Sequence, residues 1–305
     1  MPKIETTAWF DGELVPVQEI RVSALSHSLH YGTGVFEGLR CYAQTGGGGG
    51  VFRLRDHVER LHASARVLGY EVPWSVDRLC EATCETLRAN AMEAAYIRPL
   101  VWLGEGKMGV AGGDNPVHTM IAVWEWGRYL GEEGVRKGIR VLISSYERAT
   151  GNAHAHRAKI TGQYVTSYLA KNQVAGLGLD EALLLDRNGN IPEGTGENLF
   201  LARGGRLVTP RDSAAILHGI TRDTILTLAG DMGIPVGFDD LSRTDLYTAD
   251  EAFLTGTAAE VTPIREVDGR PLKESPGPLT RQLQEAYFAL VEGRGPRAEE
   301  WVTRV

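Results

Sequence analysis

Lys159 stands in Ala158-Lys159-Ile160-Thr161-Gly162-Gln163-Tyr164, and Glu193 follows in Pro192-Glu193-Gly194-Thr195-Gly196-Glu197-Asn198. An amine, a phenol and a carboxylate in this order are the set that pyridoxal phosphate chemistry needs. The lysine forms a Schiff base, the phenol bonds the ring oxygen, and the carboxylate keeps the pyridine nitrogen protonated. A lysine is ordinarily a solvated surface charge, so its setting has to argue otherwise. The chain has six lysines. Lys3 and Lys137 fall in polar or junction-like segments, Lys107 in a glycine-rich stretch, Lys171 on the polar side of a predicted helix, and Lys273 in a turn. Only Lys159 is flanked by small and apolar residues.

A phosphorylated cofactor also needs an anion site. In Gly219-Ile220-Thr221-Arg222-Asp223 a glycine precedes a threonine at the start of a helix carrying Ile225, Leu226, Leu228, Ala229 and Met232. The first N–H groups of such a helix face outward and receive anions, although an ordinary helix cap reads the same way. The dipole contributes about 0.3–1 kcal/mol, up to about 2 when partly buried, which is too little for a phosphate dianion. A charged donor worth about 1.5–3 kcal/mol has to assist. Arg60, in a segment dense with His57, His62 and Arg66, is one candidate. Thr255-Gly256-Thr257-Ala258-Ala259-Glu260 reads as a small turn between apolar strands, either a plain loop or a set of N–H groups that takes up a carboxylate.

The elements that must position these groups follow from periodicity. Ala8 to Val15 carries the Asp11-Gly12 signal of a tight hairpin. Asp56 to Leu68 has helical spacing through Val58, Leu61, Ala65 and Leu68, and a second helix runs from the Ser75 cap to about Ala91. Tyr96–Leu103, Thr119–Trp126 and Gly138–Ser144 read as strands. A helix from about Gly162 to Ala175 follows Lys159, then strands near 181–186, 198–203 and 206–209, a helix from Thr221 to Met232, strands near 251–254 and 261–267, and a closing helix from Pro278 to Leu290. This pattern is α+β and lacks regular βαβ alternation. Two domains are predicted: a small one over 1-127, a linker over 128-136 and a larger one over 137-305. Gly46 to Gly50 reads as a mobile loop tip without chemistry.

Composition removes several function classes. At 305 residues, with 43% hydrophobic and 23% charged residues, the chain is globular. A net charge of −7 argues against general nucleic-acid binding. No apolar run is long enough to span a membrane, and Met1-Pro2-Lys3-Ile4-Glu5 opens no signal peptide, so the expected location is the cytoplasm. Cys41, Cys80 and Cys84 cannot all pair in one chain, which suits a reducing compartment, and Cys80 and Cys84 read as small core residues. Gly104-Glu105-Gly106-Lys107-Met108-Gly109 matches G-x-G-x-x-G, but Gly112-Gly113-Asp114-Asn115-Pro116 cannot open the helix a dinucleotide fingerprint requires. The pairs His27/His30 and His154/His156 lack further ligands at metal spacing, so no metal is expected. There is no G-x-S-x-G elbow and no Walker A motif.

Taken together, these segments resemble the branched-chain amino-acid aminotransferases among the fold type IV pyridoxal phosphate enzymes. The resemblance runs through Ser26 to Arg40 (with Tyr31-Gly32 and Phe36-Glu37-Gly38-Leu39-Arg40), Glu59-Arg60-Leu61, Tyr96-Ile97-Arg98-Pro99, Lys159, Glu193 to Phe200, Gly219 to Arg222 and Gly256 to Glu260. It implies a two-domain fold, similar to D-amino-acid aminotransferase, with the cofactor at the domain interface. Lys159 then carries pyridoxal 5'-phosphate, Tyr164 meets the ring oxygen and Glu193 pairs with the pyridine nitrogen. Arg60 holds the phosphate with Gly219, Ile220, Thr221 and Thr257. The Thr257-Ala258 turn binds the substrate carboxylate. Tyr31, Phe36, Gly38, Tyr96, Trp126, Tyr129 and Tyr164 line the side-chain pocket, and Arg98 takes the distal carboxylate of glutamate or 2-oxoglutarate. Residues near Tyr31 and Val110 come from a neighbouring subunit, so at least a homodimer is implied, with a trimer of dimers left open.

The implied reaction is ping-pong transamination between leucine, isoleucine or valine and 2-oxoglutarate, with Lys159 moving the Cα proton. Rival readings keep the cofactor and change the substrate: an (R)-amine or D-amino-acid transaminase, or a lyase acting on an aminated chorismate. A non-catalytic cofactor-binding protein is the rival from another class. Gln163 stands where an asparagine is common, and the Gly46–Gly50 and His154-Ala155-His156 segments also depart from the pattern.

Overall fold

The computed structural model describes residues 6–149 and 152–305; Lys3 and the Met1–Glu5 start lie outside them. The chain divides into two compact units. The first takes in the chain up to Trp126 together with Ala158–Gln163 and Ala289–Val305, and the second takes in Gly127–Arg157 and Tyr164–Phe288. The sequence reading drew contiguous domains, whereas two later segments group with the first unit. Pairing explains both: Val35 bridges Ile160, and the strand Val302–Arg304 pairs with Gly49–Phe52.

The first unit is built on an antiparallel sheet in the order Val302–Arg304, Gly49–Phe52, Leu39–Ala43, Ala95–Leu103, Val117–Trp124, Thr7–Phe10 and Glu13–Pro16, with Val35–Phe36 also pairing Ala95–Leu103. The hairpin at Asp11-Gly12 forms as expected, with φ of 46° and 110° at the turn, where glycine is favoured. The helix Leu54–Val67 buries Leu54, Val58, Leu61 and Ala65 and carries His57 and Ser64 on the same face. The helix Val76–Ala89 is capped by Ser75, whose Oγ accepts from the Arg78 N–H at 3.1 Å; losing such a cap costs about 1 kcal/mol.

The expected loop tip at Gly46–Gly50 needs correction. Gly49 and Gly50 belong to the strand Gly49–Phe52 and pair with Ala43 and Tyr42. A Cβ on Gly49 would lie 2.7 Å from Cys41 Sγ and 3.1 Å from the Glu93 carbonyl, so close packing selects glycine there. The preceding Gly46, Gly47 and Gly48 form the turn, the last two at φ of 84° and 77°.

The second unit holds a mixed sheet in the order Val236–Asp239, Arg206–Pro210, Asn198–Arg203, Glu251–Gly256, Glu260–Val267, Ile139–Glu147 and Glu181–Leu185. Ile139, Val141, Leu183, Leu199, Leu254 and Ile264 are among its buried core residues. Phe200 and Phe253 pair across two strands and stack at 5.1 Å. The segment expected as a linker is largely the helix Gly131–Lys137. Its Glu132 and Glu133 in the first turn and Arg136 and Lys137 in the last complement the helix dipole. Among the described residues no helix is long and apolar enough to cross a membrane.

Candidate active site

The backbone of Lys159 is clamped within the first unit. Its N–H donates to Ser64 Oγ at 3.0 Å, and its carbonyl accepts from the Phe36 N–H at 3.0 Å. Thr161 N–H donates to the Gly34 carbonyl at 2.8 Å and Gly162 N–H to the Gly32 carbonyl at 3.0 Å. A Cβ on Gly32 would lie 2.7 Å from Gly162 Cα, so both glycines allow this close approach. Ala158 and Ile160 are buried on either side, and the Lys159 amine lies 5.1 Å from the centre of the Phe36 ring.

That ring also faces a second cation. The Arg98 guanidinium lies 4.8 Å from Phe36, 5.3 Å from Tyr96 and 6.0 Å from Trp124, and donates to the Tyr96 hydroxyl at 3.1 Å. Trp126 meets Tyr96 edge-on at 4.6 Å. A Cβ on Gly38 would collide with the Tyr96 hydroxyl, so close packing selects glycine there. Trp124 is a member that sequence reasoning missed. Trp124 and Trp126 stand two apart in the stretch expected as a strand, which in the structure ends at Trp124; Tyr96 pairs with Trp124.

Arg60 sits one helical turn from His57, and both grip Glu37, which is fully buried. Arg60 Nε and Nη2 donate to the two Glu37 oxygens at 2.6 and 2.9 Å, and His57 Nδ1 lies 2.7 Å from Oε2. Burial alone would raise the Glu37 carboxyl, but Arg60 and His57 outweigh it and hold it well below the usual carboxylate range. Burial pushes His57 below its ordinary value, against the pull of Glu37. The two-pronged pairing fixes the direction of the Arg60 guanidinium.

Tyr31 and Val110 belong to an exposed edge of this unit. Tyr31 donates to the Met108 carbonyl at 2.7 Å, and the His27 ring lies 3.0 Å from the Gly109 carbonyl and 3.2 Å from that of Val110. Val110 is 80% exposed. The Gly104–Gly113 stretch is an ordered loop braced by Asn115, whose Oδ1 accepts from the Lys107 N–H at 2.8 Å.

In the second unit, Glu193 is 4% exposed and held from three sides. Arg148 Nε lies 2.6 Å from Oε1, while the Leu217 N–H and Asn198 Nδ2 donate to Oε2 at 3.0 and 3.2 Å. Asn198 also donates to the Leu217 carbonyl at 2.9 Å, and a Cβ on Gly219 would collide with Asn198 Oδ1. Gly219 is the N-cap of the helix Ile220–Asp231 and provides no side-chain acceptor, so the turn of Ile220 and Thr221 presents its N–H groups without a capping side chain. Asn198 pairs with Thr255 across the sheet, which brings the Thr257-Ala258 turn of the neighbouring hairpin into the same region. Arg148 carried no sequence signal. Asn198 belongs to the motif Glu193 to Phe200, whose spacing does not reveal that its amide bonds Glu193.

Tyr164 opens the helix Tyr164–Gly176 and is half-buried. Tyr129, expected in the pocket wall, stands with its ring 4.9 Å from the Lys171 amine. Burial, helped by Glu197 and Glu181, pushes the Tyr129 phenol up to about 12. Lys171 is itself no free surface charge, since it bonds Glu181 and donates to the Asp180 carbonyl at 2.7 Å. The structure thus gathers Lys159, Arg60, Phe36, Gly38, Tyr96, Arg98, Trp126, Tyr31 and Val110 in the first unit. Tyr164, Tyr129, Glu193, Gly219, Ile220, Thr221, Thr257 and Ala258 lie in the second. Among the described residues no cluster of His, Cys, Asp or Glu is arranged to hold a metal ion.

Residues 34–267 match the family model described as amino-transferase class IV. The chain belongs to that family. A branched-chain-amino-acid aminotransferase of Pseudomonas aeruginosa is 47% identical over 298 residues, covering 97% of this chain and 96% of the relative. The crystal structure of the Escherichia coli branched-chain amino acid aminotransferase has a TM-score of 0.95 at 43% identity and covers 98% of this chain and 99% of its own. The branched-chain amino acid aminotransferase of Thermobaculum terrenum, solved in its PLP-bound holo form, has a TM-score of 0.91 at 35% identity, with 98% of each chain covered. The mixed α and β architecture, with two sheets, is therefore the fold of these class IV enzymes.

Proposed function

We propose that the chain is a branched-chain amino-acid aminotransferase using pyridoxal 5'-phosphate, with Lys159 as its proton-transferring base. The reading is supported by family membership and by relatives of that name over nearly the full chain. The observation that carries it is the pair of cations on one aromatic ring: the Lys159 amine at 5.1 Å and the Arg98 guanidinium at 4.8 Å from Phe36. An amine for the α-carbon end and a guanidinium set among aromatic faces suit a pocket that must take a leucine side chain and also a second carboxylate.

The donor set suits the cofactor. The carboxylate of Glu193 is buried, fixed and close to the uncapped start of the helix Ile220–Asp231, and carboxylate and helix start share the Asn198–Gly219 contact. Glu193 would hold the ring nitrogen, Tyr164 the ring oxygen, and Arg60 with Ile220, Thr221 and Thr257 the phosphate. Bound cofactor supplies an electrophilic carbon for the substrate amine and a conjugated ring that takes up the electron pair left at Cα. The Lys159 amine would take the Cα proton and deliver it to the cofactor carbon that bears the substrate nitrogen. The Thr257 and Ala258 N–H groups orient the substrate carboxylate. Phe36, Tyr96, Trp124 and Trp126 exclude water from the side chain, and Arg98 binds the distal carboxylate of glutamate or 2-oxoglutarate.

The exposed Leu25, Leu29, Tyr31 and Val110 support an interface with a second copy, so a homodimer at least is part of the proposal. Rates with L-leucine, L-isoleucine and L-valine against D-alanine and (R)-1-phenylethylamine test it. Turnover of the three L-amino acids with 2-oxoglutarate is expected, and negligible turnover of all three would overturn it.

A further inference from the structure

The geometry points to Glu197 as a positioning residue that sets how the Gly256–Ala258 turn faces Glu193. The inference rests on the proposed role of that turn in holding the substrate carboxylate. Glu197 is buried between the two segments. On one side, the Gly194 N–H donates to its backbone carbonyl at 2.7 Å, and a Cβ on Gly194 would lie 2.8 Å from Glu197 Oε2. On the other, a Cβ on Gly256 would lie 3.3 Å from the Gly196 carbonyl and 3.7 Å from Glu197 Cγ. The side chain therefore fills the gap between the acid that bears on the cofactor and the turn that bears on the substrate, and glycines flank it on both sides.

The charges around it give this strut a pH dependence. Glu181, on the strand Glu181–Leu185, accepts from the Ala182 N–H at 2.8 Å and the Thr195 hydroxyl at 2.7 Å. Lys171, on the helix Tyr164–Gly176, faces both carboxylates but bonds Glu181, and its ammonium also lies against Tyr129. Glu193 lies in the same segment as Glu197. Glu260, opposite Gly256 in the hairpin, is paired at 3.6 Å with Arg128. Burial first, then the charge of Glu181, push the Glu197 carboxyl up to about 8, while Lys171 and the Gly196 N–H oppose the rise. Near neutral pH burial therefore favours the uncharged form of the strut. Above that range it gains a buried negative charge beside the carboxylate turn, and substrate carboxylates are repelled.

The test uses 4-methylpentanoate, a carboxylate of leucine's shape with no amine to titrate. Its dissociation constant is measured on the holoenzyme by calorimetry from pH 6.5 to 9.5. In the unaltered protein it is expected to rise about tenfold with a midpoint near the Glu197 titration, and Glu197→Gln is expected to flatten that rise. As a second variant, Glu181→Gln removes the charge that opposes ionisation and leaves Lys171 to Glu197, so the midpoint is expected to move to lower pH. A rise that persists unchanged in Glu197→Gln, or a midpoint unmoved in Glu181→Gln, overturns the assignment. Tight but pH-independent binding in the unaltered protein overturns this inference alone, whereas no binding at pH 7 overturns the substrate reading and the inference with it.

Discussion

The Arg148 guanidinium and the Glu193 carboxylate meet at 2.6 Å, with side-chain exposures of 11% and 5%. Each is the other's counter-charge in a region with little water. Removing the guanidinium strands a buried carboxylate, which costs about 3–5 kcal/mol. Arg148→Met is therefore expected to lower the unfolding free energy of the apoprotein, measured in urea, by that order and to weaken cofactor retention. An unchanged unfolding free energy would show that the pair does not hold Glu193.

In the proposed function Arg98 is the residue that distinguishes the two kinds of substrate. It donates to Tyr96 and lies against three aromatic faces, so its side chain is fixed before any ligand arrives. A charged hydrogen bond contributes about 1.5–3 kcal/mol, or roughly 10- to 100-fold in affinity. Arg98→Met is expected to raise KM for 2-oxoglutarate by that factor while changing KM for 4-methyl-2-oxopentanoate less than threefold. Equal changes for both acceptors would remove Arg98 from the recognition of the distal carboxylate.

Gly38 has a steric reason to be glycine. Its missing Cβ leaves the space that the Tyr96 hydroxyl occupies. Gly38→Ala is expected to cost about 1–3 kcal/mol through overpacking and to raise KM for leucine. The double variant Gly38→Ala/Tyr96→Phe is expected to recover part of the stability, because the clashing oxygen is gone. A double-mutant cycle with no coupling would contradict the contact.

Acid stability follows from the Glu37 cluster. Folded Glu37 is held below the carboxylate value of 4.5, and folded His57 below 6.5. As pH falls, the unfolded chain takes up protons at these groups that the folded chain does not. Stability is present in full above the unfolded values and is lost as pH falls, first for His57 and then for Glu37. Thermal midpoints of the apoprotein from pH 7.5 to 4 are expected to fall along this course, and Glu37→Gln is expected to flatten it. A parallel fall in both proteins would contradict the assignment.

Local signals in the chain were enough for most elements. The Asp11-Gly12 turn, the Ser75 cap and the helical spacing through Val58, Leu61 and Ala65 act over a few residues, and each produced the expected element. What depends on long-range pairing was not legible. Gly49 and Gly50 read as a loop until Cys41, Glu93 and the strand Val302–Arg304 were seen beside them. Lys171 read as a surface charge because Glu181 is on another element. For the site, the residue types marked the chemistry, yet Arg148 and the Glu37–His57–Arg60 cluster emerge only from partners brought together by folding.

In the proposed function Lys159 carries the chemistry, and reductive trapping tests this most directly. The holoenzyme is reduced with borohydride, digested, and the pyridoxyl-bearing peptide is identified by mass spectrometry. Label on the peptide containing Ala158-Lys159-Ile160 is the expected result. Label on Lys171, the other lysine with a half-buried amine among the described residues, or on any remaining lysine, would contradict it.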